Sequence, residues 1–277
     1  MFTWSSVLQW GKGPNDGAPH ESPVEGTDTL LESLIANEQI DVLYQPQIEP
    51  VTGTIMGAEA LARSPIATSA EMLFERAARA GLHEQLSQVV QRKALRCAAG
   101  WQGPLKELGL SINMLPQEIC REGHDQWLID EIARCGIDPR RVTIEITETA
   151  LLADETAAVK RLLRLRDAGL RIAVDDFGTG YASLAYLISL PLDVIKIDRR
   201  LVCDIVGGAR DRIVLRALIQ LARELELKVV VEGVESTSQL ALLVEWGCDC
   251  YQGFLGAGAL SEDELWRFVA ASLAEAA

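Results

Sequence analysis

Predicted strands and helices alternate along most of this 277-residue chain, and that alternation limits the folds open to it. Apolar runs typical of strands lie at residues 41–48, 53–63, 108–114, 141–147, 171–175, 192–197, 228–232 and 248–252. Helical periodicity follows at residues 70–97 with a break near Gly81, then 125–134, 154–168, 181–188, 209–225, 237–246 and 261–273. Repeated alternation implies parallel strands joined by helical crossovers, and therefore an α/β fold.

The number of predicted strands favours a closed barrel. About eight strands in a chain of this length fit a (β/α)8 barrel of the TIM type, a class that runs near ~250 residues. A doubly wound open sheet is the alternative. It requires a glycine-rich phosphate turn early in the chain, and Gly53-x-x-x-Gly57 does not have that spacing. Pro46 predicts an edge or irregular position within the first strand.

The first 28 residues differ in composition from the rest. Residues 11–26 are rich in Gly, Pro, Asp and Glu, which is typical of a linker. We therefore expect an N-terminal segment and linker at residues 1–28 and the barrel at residues 29–277. The barrel would open with a helix, because Thr29-Leu30-Leu31-Glu32 matches a capping box.

Overall charge and cysteine usage exclude several classes of protein. The net charge of −14 does not suit a polynucleotide partner, because binding along phosphates needs Lys and Arg. No apolar run reaches the length of a membrane span, and no secretory signal pattern opens the chain. The six cysteines form no Cys-x-x-Cys pair, which favours scattered thiols in the reducing cytoplasm.

Paired carboxylates end the fifth predicted strand, in the stretch Asp175-Asp176-Phe177-Gly178-Thr179-Gly180. Two like charges this close resist ionisation unless a cation lies between them. The glycines permit a sharp turn with positive φ. The stretch by itself fits a metal site at the rim of an α/β fold and a helix-capping Asp pair about equally well.

Polar residues at the ends of the other strands favour the metal site. Strand alternation places Thr143, Glu145 and Thr147 on one face, which would point into a barrel. The residues at or near the strand ends are Glu59 with Arg63 beyond it, Asn113, Glu145, Asp175, Asp176, Lys196, Glu232 and Gln252. Any one of them alone would be an ordinary surface residue. Together they form an oxygen-rich set without His or Cys, which favours Mg²⁺ or Mn²⁺, and two such ions suit attack on a phosphodiester.

Several motifs in a fixed order resemble one known family. They are Tyr44-Gln45-Pro46, Glu59-Ala60-Leu61 with Arg63, Ser111-Ile112-Asn113, Glu145-Ile146-Thr147-Glu148, the 175–184 stretch, Ile195-Lys196-Ile197-Asp198, Glu232-Gly233-Val234-Glu235 and Gln252-Gly253. This order is similar to that of the EAL-domain phosphodiesterases, which hydrolyse cyclic di-GMP. The likeness runs from about residue 41 to 260. Residues 64–69 and 254–259 depart from the family pattern, since the first is shorter and lacks a Trp and the second lacks a Pro.

The resemblance implies a fold and a set of roles. The fold would be a modified barrel whose first strand runs antiparallel to the rest. Two ions, Mg²⁺ or Mn²⁺, would be held by Glu59, Asn113, Glu145, Asp175, Asp176 and Glu232. Catalysis would rest on Lys196, Glu59 and Glu232, substrate binding on Arg63, Gln45 and Gln252, and bracing of the loop after Asp176 on Glu148 and Glu235.

Three functions remain open at this stage. The first is hydrolysis of cyclic di-GMP to linear pGpG by a cytoplasmic homodimer. The second is a cyclic di-GMP receptor without activity. It is less favoured because receptors of this family typically lose metal-binding acids, and this chain keeps them. The third is an unrelated metal-dependent barrel enzyme acting on a small phosphorylated substrate.

Overall fold

Eight strands form a closed barrel in the computed structural model, which describes residues 28–147, 155–178, 187 and 189–276. The strands are β1 Asp41–Ile48, β2 Ile55–Arg63, β3 Gly109–Met114, β4 Val142–Thr147, β5 Arg171–Phe177, β6 Val194–Ile197, β7 Lys228–Val231 and β8 Cys250–Tyr251. They follow one another around the barrel in chain order. The predicted α/β barrel is confirmed.

The first strand runs against its neighbours. β1 pairs antiparallel with β2 along its whole length, and the pairs from β2 to β8 are parallel. β1 meets β8 only where Ile48 pairs with Tyr251. On the same side of β1, Tyr44 forms an isolated antiparallel bridge with Leu260. Pro46 lies between these two contacts, outside a continuous ladder, and this explains how it is tolerated inside the strand. The expectation of an antiparallel first strand is confirmed.

Helices cover the outside of the barrel. Those in the described residues are α1 Thr29–Ala36, α2 Ala70–Arg79, α3 His83–Ala99, α4 Pro116–Cys120, α5 His124–Cys135, α6 Glu155–Asp167, α7 Ala209–Glu224, α8 Thr237–Trp246 and α9 Glu262–Ala276. Gly81, at φ +69°, separates α2 from α3 as predicted. The sequence did not predict α4. The helix predicted at 181–188 lies almost entirely outside the described residues.

One predicted cap is wrong. Asp28, rather than Thr29, caps α1, because its carboxylate accepts a hydrogen bond from the Leu31 backbone N–H. The same carboxylate also accepts bonds from the Arg76 guanidinium on α2. Asp28 thus satisfies a free helix donor and joins two helices, a combination that Thr29 cannot supply.

The barrel interior is layered in a way that follows strand alternation. Outward-facing Ile and Val of the strands pack on the helices in one large apolar core. Inward-facing Ala173, Val194, Val230 and Cys250 form a small apolar cluster across the barrel. Two residues further along the chain from each of these lie Asp175, Lys196, Glu232 and Gln252, at the strand ends or directly after them. The polar layer therefore rests directly on a floor of small apolar side chains at the carboxyl ends of the strands.

No helix within the described ranges has both the length and the apolar composition that a bilayer crossing requires. Residues 1–27 are outside those ranges, so the boundary after residue 28 remains a proposal.

Gly233, directly after Glu232, provides a stability test. It has φ +68°, and a Cβ added there would lie 2.2 Å from the Cβ of Arg199. Left-handed backbone costs other residues roughly 1–2 kcal/mol, and the clash adds to this. We expect Gly233→Ala to lower the free energy of unfolding by about 2 kcal/mol or more in chemical denaturation. Gly207→Ala, with no atom within 4 Å of the added Cβ, is the control. Equal stability of the two variants would contradict the described turn.

Candidate active site

The ammonium group of Lys196 lies at the centre of the polar layer. Its Nζ lies 3.2 Å from Glu59 Oε2, 2.7 Å from Glu145 Oε2, 3.2 Å from Asp175 Oδ1 and 2.8 Å from Glu232 Oε1. These carboxylates come from β2, β4, β5 and the residue after β7. Four separate segments of the barrel therefore meet at one buried cation.

Two amides complete the contacts of Glu59. Asn113 Nδ2 donates to Glu59 Oε1 at 3.0 Å, and Gln252 Nε2 donates to Glu59 Oε2 at 2.8 Å. Gln252 Nε2 also donates to Gln45 Oε1 at 3.0 Å, and Gln45 Nε2 donates to the carbonyl of Ala257. The structure thus brings Gln45, Asn113 and Gln252 to the same cluster as the acids.

A local irregularity shapes the end of β5. Neighbouring residues of a regular strand face opposite sides, so Asp175 and Asp176 should not both line one site. Here the pairing of β5 with β6 shifts register between Val174 and Phe177, and Asp176 has φ +56°. A bulge with a left-handed residue redirects side chains in this way. Both carboxyl groups are buried at the strand end.

Charge and burial act against each other at Lys196. Burial by itself lowers the pKa of the Lys196 ammonium, but Asp175, Glu145, Glu232 and Glu59 outweigh burial and raise the pKa well above its usual range. The group is therefore charged. Glu145 shows the opposite balance: burial, with repulsion from Glu59, raises its pKa well above the ordinary value despite the attraction of Lys196.

The other carboxyl groups differ in how well they are compensated. Burial raises the pKa of Glu59. The charge of Lys196 and the hydrogen bonds from Gln252 and Asn113 lower it by more, so the pKa lies below its ordinary value. The pKa of Glu232 is raised to about 8 and that of Asp176 to about 7, and burial is the largest cause in both cases. Glu59, Glu145, Asp175 and Glu232 all contact the Lys196 ammonium, so carboxyl groups outnumber the cation in this cluster.

The cluster fits a divalent cation. One oxygen from each of Glu59, Glu145 and Asp175 lies within 4.8 Å of the others. Glu145 Oε1 and Asp176 Oδ2 are buried without a hydrogen-bond partner. Unpaired buried carboxylate oxygens are costly, and a bound cation removes that cost. An all-oxygen donor set matches Mg²⁺ or Mn²⁺.

Two predicted residues in the described part of the chain, Arg63 and Glu235, are not in the cluster. Arg63 ends β2, is partly buried, and its Nη1 donates to the carbonyl of its neighbour Ala62. Glu235 is exposed, and the Phe177–Ser183 loop it was predicted to brace is described only at residues 177–178. Glu148 lies outside the described residues. Their roles stay predictions.

Asp198 lies beside the site; it belongs to the Ile195-Lys196-Ile197-Asp198 motif, but no role was predicted for it. It is 2% exposed, accepts bonds from the backbone and side chain of Arg200, and raises the pKa of Asp176. The alternation that places Val194 and Lys196 inward also places Asp198 inward, and this was the available signal.

The buried carboxylate cluster lies at the carboxyl ends of the barrel strands, which is the face where α/β-barrel enzymes carry their active sites. The family model described as EAL domain matches residues 28–259. The chain belongs to the EAL-domain family.

Two curated relatives show the extent of the likeness. The cyclic di-GMP phosphodiesterase NbdA of Pseudomonas aeruginosa is 34% identical over 256 residues, covering 89% of this chain and 32% of that protein. The probable cyclic di-GMP phosphodiesterase PdeB of Escherichia coli is 34% identical over 242 residues, covering 86% and 46%. With two further relatives included, the chain spans 28% to 46% of the length of these curated proteins.

Solved structures with bound ligands share the fold. The phosphodiesterase PaMucR in its cyclic di-GMP complex has a TM-score of 0.79 at 30% identity, covering 85% of this chain and 97% of that chain. Klebsiella pneumoniae BlrP1, with manganese and cyclic di-GMP, has a TM-score of 0.72 at 32% identity, covering 80% and 56%.

Proposed function

We propose that this chain is a metal-dependent phosphodiesterase that hydrolyses cyclic di-GMP to linear pGpG. The observation that carries the proposal is the convergence of four carboxylates on Lys196, with buried acidic oxygens left unpartnered beside them. Membership of the EAL-domain family and relatives that are named cyclic di-GMP phosphodiesterases support the same substrate.

Two divalent cations, Mg²⁺ or Mn²⁺, are part of the proposal. The residues that would hold them are Glu59, Asn113, Glu145, Asp175, Asp176 and Glu232. Bound cations would supply Lewis acidity toward the phosphate and lower the pKa of the attacking water. The manganese bound with cyclic di-GMP in BlrP1 supports this choice of ion.

The chain's own groups have separate tasks in this reaction. The charged Lys196 would orient the attacking water and stabilise negative charge that builds up on the phosphate. Glu232 would take up the water's proton, since its side chain is 22% exposed whereas those of the other three acids bound to Lys196 are at most 9% exposed. A new bond forms between the water oxygen and phosphorus, the bond from phosphorus to one ribose 3′ oxygen breaks, and that oxygen takes a proton from solvent while Glu232 later returns its proton to solvent.

Substrate binding is assigned to residues around the mouth. Gln45 and Gln252 are joined by a hydrogen bond, and Gln45 also holds the carbonyl of Ala257 in the divergent 254–259 segment. The pair would shape the wall against which the dinucleotide lies.

Arg63 gives a prediction about substrate affinity. Its only hydrogen bond among the described residues is to the neighbouring carbonyl of Ala62, so the guanidinium can turn toward a phosphate without breaking an ion pair. Hydrogen bonds to charged groups contribute about 1.5–3 kcal/mol. We expect Arg63→Ala to raise KM about 10- to 100-fold with a smaller change in kcat. Arg79→Ala, on the exposed end of α2, is the control. An unchanged KM would remove Arg63 from the binding site.

A cyclic di-GMP receptor is the second candidate, because the segments 64–69 and 254–259 beside the mouth depart from the family pattern. Chromatographic detection of pGpG, with and without Mg²⁺, separates the two. The enzyme proposal predicts pGpG only with the metal. Tight binding of cyclic di-GMP without product would establish the receptor, and neither binding nor product would contradict both.

Further proposals concern the protein's surroundings. The six cysteines are free thiols, which supports a reducing, cytoplasmic location. The net charge of −14 supports the absence of a polynucleotide partner. A homodimer, with Glu148 and Glu235 bracing the loop after Asp176, rests on the family resemblance. Light scattering on Glu148→Ala would test it, since the proposal predicts a weaker dimer and lower activity.

A further inference from the structure

A buried polar network lies behind the end of β3, on the side away from the barrel axis. Gln91 on α3 and Glu118 on α4 are 2% and 0% exposed. Gln91 Nε2 donates to the backbone carbonyl of Asn113 at 2.9 Å and lies 3.2 Å from Glu118 Oε2. Ser87, one turn earlier on α3, donates to the same carboxylate oxygen at 2.9 Å. The network therefore reaches the backbone of a proposed metal ligand.

The network supports the side of this strand end that faces β2. β2 pairs with β3 only from Gly57–Gly109 to Glu59–Ser111. β4 pairs with β3 as far as Asn113 and Met114, so at Asn113 the ladder is missing only on the side toward β2. The Gln91 amide supplies a donor at this place, and the carbonyl of Asn113 thereby keeps a buried partner.

The network fixes the orientation of Gln91. Its Nε2 donates to the Asn113 carbonyl, which can only accept, and lies 3.2 Å from Glu118 Oε2 and 3.1 Å from Ser87 Oγ. A flipped amide would set its oxygen against the Asn113 carbonyl oxygen. Glu118 Oε2 is held in turn by Ser87 and by the Leu115 backbone N–H at 2.8 Å. The amide of Gln91 therefore has one favourable position.

We propose that Gln91, oriented by Ser87 and Glu118, is a positioning residue that fixes the end of β3 and so presents the Asn113 side chain to the metal site. The inference rests on the proposed function, because it takes Asn113 as a ligand. Groups that orient a ligand typically contribute 10- to 100-fold to metal affinity. Gln91 touches neither metal nor substrate and acts only through Asn113.

Mn²⁺ binding to the full chain without substrate, followed by electron paramagnetic resonance of the free ion, tests the inference. Gln91→Met keeps length and burial but removes the donor to Asn113. We expect its Kd for Mn²⁺ to rise about 10- to 100-fold. Hydrolysis should recover toward the wild-type kcat as Mn²⁺ is raised, because the defect lies in affinity.

Two variants serve as matched controls. Arg141→Met removes the side-chain bonds to the carbonyl of Leu108, at 3.1 and 3.0 Å, just before the opposite end of β3. It should lower stability without changing the Kd for Mn²⁺. Glu118→Gln retains an acceptor oxygen for Ser87, Gln91 and Leu115, and its Kd should stay close to the wild-type value.

The outcomes separate this inference from the proposed function. Equal Kd values for the wild type and a folded Gln91→Met would overturn the positioning role alone. A wild type that fails to bind Mn²⁺ would overturn the metal site, and this inference with it. If Gln91→Met does not fold, Ser87→Ala decides: a smaller rise in Kd supports the role, and an unchanged Kd overturns it.

Discussion

Glu59→Gln should abolish Mn²⁺ binding and reduce hydrolysis of cyclic di-GMP by about 10³-fold or more. Glu59 is a proposed metal ligand, and its carboxylate also accepts hydrogen bonds from Lys196, Asn113 and Gln252. A neutral amide loses the ligand charge and offers a donor where only acceptors fit. Metal ions supply several kcal/mol of transition-state stabilisation, and each ~1.4 kcal/mol is tenfold in rate.

Calorimetric titration with Mn²⁺ and initial-rate kinetics on the same preparation measure both effects. Glu107→Gln, an exposed acid before β3, is the matched control and should behave as the wild type. Near-normal turnover by Glu59→Gln would show that this carboxylate holds no metal needed for the reaction.

Lys196→Ala should lower kcat by about 10²-fold or more while KM changes little. Among the described residues, the Lys196 ammonium is the cation that forms ion pairs with Glu59, Glu145, Asp175 and Glu232. Removal of one preorganised electrostatic group at the reacting atoms costs about 10²–10³ in kcat in other enzymes. Loss of the ammonium also leaves these carboxylates without a compensating positive charge, and we expect their affinity for a divalent cation to rise.

Steady-state kinetics at saturating Mn²⁺ separate the two parameters. Lys228→Ala is the control, since Lys228 is exposed and pairs with Asp249 at the start of β7, away from the site. A rise in KM with an unchanged kcat would make Lys196 a substrate-binding residue and remove it from the chemical step.

The barrel could be predicted from the sequence because strand alternation is local. Alternate residues of a strand point to the same face, so the inward orientation of Thr143 and Glu145 on β4 could be predicted. The same holds for Val194 and Lys196 on β6. The antiparallel β1 came only from the family resemblance, yet a physical signal existed. The connection from Ile48 to Ile55 is far too short for a parallel crossover, which needs a dozen or more residues.

Other features depend on tertiary geometry that no local pattern encodes. The bulge at Asp176 follows from the register of β5 against β6, and alternation by itself would have placed Asp175 and Asp176 on opposite faces. The contact between Gln91 and the Asn113 carbonyl joins residues 22 positions apart through helix packing. Gln91 and Glu118 belong to no motif, so no sequence pattern singles them out.

Anomalous diffraction at the manganese edge, from crystals grown with Mn²⁺ and cyclic di-GMP, would locate the proposed metal ions. We expect anomalous peaks within coordination distance of Glu59, Glu145 and Asp175, with Asn113, Asp176 and Glu232 completing the two ligand sets. Manganese bound elsewhere, or a cluster without anomalous signal in a protein that still forms pGpG, would contradict the proposed metal site.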